Sequence, residues 1–144
     1  GVQGIVDAYD VPIYIHHDDV KYLSDPELNL SNYSNPTPIT VKGRIIEVHE
    51  GDHITCGAID LTVYEPPVHT GGVCYYIPGL VFVGDTLFNQ SVGRTDFVEG
   101  NYDALINAIK TKLYTLPDNT MVYPGHGPET QIGYEKQYNP FVGA

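Results

Sequence analysis

Residues 1–8 place Val2, Ile5 and Val6 at helical spacing with no capping residue ahead of them, which predicts a helix already in progress at Gly1. Val11-Pro12-Ile13-Tyr14-Ile15 is a short run rich in β-formers and reads as a buried strand. His17 to Leu23 predicts a short helix, with Asp18 and Asp19 near the N-terminus where the helix dipole favours acids. Residues 24–38 carry Pro26, Pro36 and Pro38 among Asn and Ser and read as a loop, since patterned structure resumes on both sides. Strand candidates follow at Arg44 to Val48, Ala58 to Tyr64, Val73 to Ile77 and Leu80 to Val83, with Pro78-Gly79 as a hairpin turn between the last two. The run Ile59 to Tyr64 alternates apolar and polar, as a sheet with one buried face requires. Asn101 is a candidate N-cap for a helix from Tyr102 to Tyr114, whose Leu105, Ile106, Ile109 and Leu113 form one apolar stripe that Pro117 prevents from continuing. Met121 to Tyr123 is a last strand, and a short helix from Ile132 to Gln137 precedes Pro140. This order predicts an α/β fold, a sheet covered by helices on its outer face, in a single domain over 1–144.

Charge narrows the partners. Acids outnumber bases 18 to 7, for a formal net charge of -11. Nucleic acid and anionic membrane surfaces both need clustered Lys and Arg, so a small molecule or a cation is the expected partner. No apolar run is long enough to span a membrane and no signal-peptide pattern is present, so the expected location is cytoplasmic. The two cysteines, Cys56 and Cys74, form neither a CxxC pair nor a disulfide framework, and both read as buried free thiols in apolar, strand-like stretches.

Three segments place a metal-ligand residue type at a strand end beside Gly or Pro. They are Pro66-Pro67-Val68-His69-Thr70-Gly71-Gly72, Val81-Phe82-Val83-Gly84-Asp85-Thr86 and Val122-Tyr123-Pro124-Gly125-His126-Gly127-Pro128. A side chain just past the end of a buried strand is held rigidly, and an adjacent glycine lets backbone and ligand approach closely. Imidazole and carboxylate together suit zinc, iron or manganese.

With these segments in this order, the sequence resembles the metallo-β-lactamase superfamily, in its glyoxalase II-like branch. Gly84-Asp85-Thr86-Leu87-Phe88, Val92-Gly93-Arg94-Thr95-Asp96, Tyr123 to Thr130 and Glu135 to Phe141 carry the resemblance. It implies an αββα sandwich, and a metal centre in which His69 binds a first zinc, Asp85 bridges two and orients the nucleophile, and His126 binds the second. The implied substrate is a thioester such as S-lactoylglutathione, with Arg94 a candidate for an anionic group of it. A salt bridge from Arg94 to Asp96 is the structural alternative.

Two departures qualify this. The family's His-x-His-x-Asp-His motif, which supplies two ligands to each metal, is not among these residues, so the expected fold is N-terminally incomplete. His16-His17-Asp18-Asp19 has the wrong spacing for it, and His16 and His17 read as strand-end and helix-start residues; His49 and His53 read as solvated around a turn. Around His69, Val68 stands where the family has Gly, and one residue between Thr70 and Gly71 is missing. The expectation is weak metal binding by this chain alone, and self-association or domain swapping through bared apolar surface. A non-catalytic binding or assembly module that keeps the fold is the alternative function; a lactamase or nuclease on the same fold has less support.

Overall fold

The computed structural model describes residues 1–66, 72–95 and 101–143. The chain divides into two compact units, Gly1–Val48 and His49–Ala144.

The first unit runs α1 (Val2–Tyr9), β1 (Ile13–His16), α2 (Val20–Ser24), α3 (Ser31–Ser34) and β2 (Ile45–Val48). β1 and β2 pair in parallel, with Ile13 opposite Ile45 and His16 opposite Val48. The helix expected from His17 begins as a 3-10 turn, His17–Asp19, before α2. His16 Nδ1 caps that turn by accepting the Asp18 backbone N–H at 3.2 Å. Residues 24–38 are not loop throughout, since α3 lies among them. Asn29 ties that segment together: its amide nitrogen donates to the Tyr22 and Ile39 carbonyls at 2.9 and 3.0 Å, and its Oδ1 accepts from Ser31 N at 3.0 Å.

The second unit comprises β3 (His53–Cys56), β4 (Ile59–Tyr64), β5 (Cys74–Ile77), β6 (Leu80–Gly84), β7 (Leu87–Phe88), β8 (Ser91–Val92), α4 (Tyr102–Thr111), β9 (Met121–Pro124), β10 (Thr130–Gln131) and α5 (Ile132–Tyr138). Its main sheet has the order β10-β9-β6-β5-β4-β3. β6 and β9 are parallel and the other neighbours antiparallel. Cys74, Val81, Val83 and Val122 on the sheet pack with Leu105, Ile109, Leu113 and Ile132 from the helical segments. Burying each such Leu or Ile contributes roughly 1.5–3 kcal/mol. Asn101 caps α4 as expected, its Oδ1 accepting from Ala104 N at 3.0 Å. The Pro78-Gly79 turn joins β5 to β6, with Gly79 in the left-handed region at φ +95°.

The cysteine expectation holds for one residue and fails for the other. Cys74 is buried in the core, whereas Cys56 is exposed, because β3 is an edge strand and Cys56 ends it at the Gly57 turn. Burial pushes the Cys74 thiol up to about 12, so it stays protonated at ordinary pH. We therefore expect an aromatic disulfide reagent at pH 8 to titrate one thiol in the native chain and two after denaturation. Two fast thiols in the native state would contradict this packing. His49 and His53 are exposed, as expected, although His53 belongs to β3 and pairs with Asp60 across the hairpin at 2.9 Å. Among the described residues, no helix is long and apolar enough to cross a membrane.

Candidate metal centre

The site begins with the parallel pairing of β6 and β9. Parallel neighbours end at the same edge of a sheet, and here Gly84 stands opposite Pro124 at their C-terminal ends. Asp85 follows β6 immediately and His126 lies two residues past β9, so each side chain leaves a carboxyl end of an adjacent strand. In open α/β sheets this is where ligands bind. A hydrogen bond from Gly125 N to the Gly84 carbonyl at 2.7 Å carries the pairing one step beyond the strands.

The two side chains meet. His126 Nδ1 lies 2.7 Å from Asp85 Oδ1, and both are substantially solvent-facing. An exposed pair of this kind adds only about 0–1 kcal/mol to stability, so stability alone does not account for the backbone built around it. Gly93 and Gly125 both press against Asp85. A Cβ on Gly125 would fall 2.6 Å from Asp85 Oδ1, and one on Gly93 would fall 1.9 Å from the Asp85 carbonyl oxygen. Gly93 N–H also donates to the Thr86 carbonyl at 3.1 Å, closing the turn that presents Asp85. Below it, the buried Cys74 thiol lies 3.9 Å from the Val83 carbonyl and from Thr86 Oγ1.

The donor set suits a divalent cation. Two ligands of one ion at bond lengths of 2.0–2.2 Å in tetrahedral geometry stand about 3.3 Å apart. The observed separation would open by about half an ångström, which small side-chain rotations provide. A cation would sit between imidazole and carboxylate, and the missing Cβ of Gly125 leaves room at Oδ1.

Of the residues singled out from sequence, the structure brings Asp85 and His126 together. His69 and the altered Val68 to Gly71 stretch lie outside the described residues. Arg94 is exposed and directly follows Gly93, which places it on the chain segment that closes the Asp85 turn. His16 and His17 are strand end and turn start in the first unit, as read from sequence.

Sequence reasoning missed Glu135 as a support of this region. It is fully buried on α5 and accepts from Thr130 Oγ1 at 2.5 Å, from Gln90 N at 3.0 Å and from Asn139 Nδ2 at 2.8 Å. Asn139 Nδ2 also reaches the Ser91 carbonyl at 3.0 Å. α5 thereby pins the β7–β8 turn, where Gln90 takes the left-handed conformation at φ 54°. The available signal was an acid on α5 with an amide four residues on, at the helix C-cap.

The family model of the metallo-beta-lactamase superfamily matches residues 1–126. The chain belongs to that superfamily. Among curated relatives, it is 36% identical over 139 residues to the probable metallo-hydrolase YqgX of Bacillus subtilis (strain 168), covering 94% of this chain and 66% of that protein. It is 40% identical over 96 residues to hydroxyacylglutathione hydrolase GloC of Haemophilus influenzae, covering 65% of this chain and 45% of that one. Among solved structures, the B3 metallo-beta-lactamase BLEG-1 matches with a TM-score of 0.87 at 36% identity, over 98% of this chain and 69% of that chain. TTHA1623 in a di-iron-bound form matches with a TM-score of 0.76 at 33% identity, over 96% and 68%. The chain thus spans about two thirds of the length of the leading relatives. Its fold class is the α/β fold of metallo-β-lactamases, and the superfamily is one of metal-dependent hydrolases.

Proposed function

We propose that this chain carries part of the metal centre of a hydrolase acting on a small-molecule thioester such as S-lactoylglutathione, with His69, Asp85 and His126 as its ligands. The observation that carries the proposal is the 2.7 Å approach of His126 Nδ1 to Asp85 Oδ1 at the ends of two parallel strands. The likeness to GloC supports the substrate class.

In this reading Asp85, His69 and His126 would hold the metal, two ions in a complete site. Zinc is the reference metal; iron, as in the di-iron TTHA1623, and manganese suit the same donors. When bound, the metal supplies Lewis acidity: it makes water ionise near neutral pH and polarises a carbonyl oxygen. The protein's own part is positional. Gly93 lets the chain close against the Asp85 carbonyl, Gly125 leaves the space that Asp85 Oδ1 fills, and His126 holds that oxygen. Arg94 offers a guanidinium to an anionic carboxylate of the substrate. The acidic balance of the chain favours cation capture over polyanion binding.

We expect zinc-supported hydrolysis of S-lactoylglutathione that Asp85→Ala lowers by more than about 100-fold, beyond what loss of an outer hydrogen-bond partner causes. A rate unchanged by Asp85→Ala would reject the assignment. No hydrolysis at any zinc concentration would favour a non-catalytic binding or assembly module.

A further inference from the structure

The 3-10 turn after β1 gathers three donors that the hydrolase reading does not use. His17 Nε2 lies 3.2 Å from Asp18 Oδ1, and His16 Nδ1 lies 3.9 Å from Asp18 Oδ2. One ligand atom from each of the three residues falls within 4.8 Å of the others. Ligands of one tetrahedral zinc stand about 3.3 Å apart at bond lengths of 2.0–2.2 Å. One separation already matches that spacing and the others exceed it by amounts that side-chain rotation can close.

The chemical state of the donors fits as well. His16 is buried, and its Nδ1 accepts a hydrogen bond from Asp18 N at 3.2 Å, so this nitrogen carries no proton and an ion would take the place of the Asp18 N–H at its lone pair. That is the form in which imidazole binds metals. The two imidazole rings are 4.1 Å apart between centroids. His17 and Asp18 are accessible to solvent, which gives an ion a way in.

We propose that His16, His17 and Asp18 form a metal site of their own, built within the first unit and sharing no residue with Asp85 and His126. Two imidazoles and one carboxylate select zinc, nickel or cobalt over magnesium and calcium, which favour all-oxygen shells. Three protein ligands leave a coordination position for water or an exogenous anion. Because the ligands are consecutive in sequence, the ion closes almost no loop and would act locally, clamping the end of β1 to the turn that follows.

The test is a calorimetric zinc titration, repeated with cobalt absorption, on the chain carrying Asp85→Ala and His126→Ala. One equivalent should bind. Adding His17→Ala, or separately Asp18→Asn, should weaken that binding more than about 100-fold, beyond what loss of an outer-shell partner produces. Both residues are exposed, so far-ultraviolet circular dichroism should show the fold unchanged. Binding that survives both changes would place the ion elsewhere and overturn the proposal. Absence of binding in the Asp85→Ala, His126→Ala chain would overturn it equally.

Discussion

Gly93→Ala is expected to destabilise the chain by at least about 3 kcal/mol, at the upper end of overpacking costs. The reason is that the new Cβ would meet main chain. It would sit 1.9 Å from the Asp85 carbonyl oxygen and 3.1 Å from its carbon, and neither can swing aside as a side chain could. The turn at Asp85 must move or the β8 end must withdraw, and either breaks the Gly93 to Thr86 hydrogen bond. Urea denaturation of the two proteins would measure the difference. A midpoint within error of the parent chain would show that Gly93 does not touch Asp85 as described.

Glu135→Ala should cost about as much by the opposite route, removing an acceptor rather than adding bulk. Three donors converge on this buried carboxylate, from Thr130, Gln90 and Asn139. Each buried donor left without a partner costs roughly 1–3 kcal/mol, so a total near 3 kcal/mol is expected even if Thr130 turns its hydroxyl elsewhere. The same denaturation experiment applies, and a loss below about 1 kcal/mol would mean that water or other groups already serve these donors. Amide exchange at Gln90 should quicken in the variant, since its N–H donates directly to Glu135.

The parts of the fold legible in sequence were those governed by local chemistry. The α4 stripe, the Asn101 cap and the Pro78-Gly79 turn each depend on residues a few positions apart, and the structure shows them, except that α4 ends at Thr111 and Leu113 reaches the core from a following 3-10 turn. β3 was not read as a strand because His53 to Cys56 is short, with two polar residues among its four; its pairing with β4 makes it one. Cys56 was misplaced for the same reason: burial of a strand residue depends on its position in the sheet, and an edge is invisible in the chain. α3 was hidden by the prolines around it.

For the site, Asp85 and His126 were found because glycine and a strand end mark each of them locally. The purpose of Gly93 was not visible, since its contact with Asp85 exists only once the β7–β8 hairpin has folded back. Glu135 was passed over because an acid on a short C-terminal helix normally faces water. Thr130 and Asn139 lie close to it in sequence, but Gln90 reaches it from 45 residues away.

The parallel register of β6 and β9 also governs when the Asp85–His126 pair can exist. A hairpin cannot join parallel strands; the chain must travel out through β7, β8 and α4 before returning, and the paired residues are 41 positions apart. Contacts so distant in sequence are among the slower ones to form. Under the proposed function, the capacity to capture an ion at this place would therefore arise only once β9 has docked against β6.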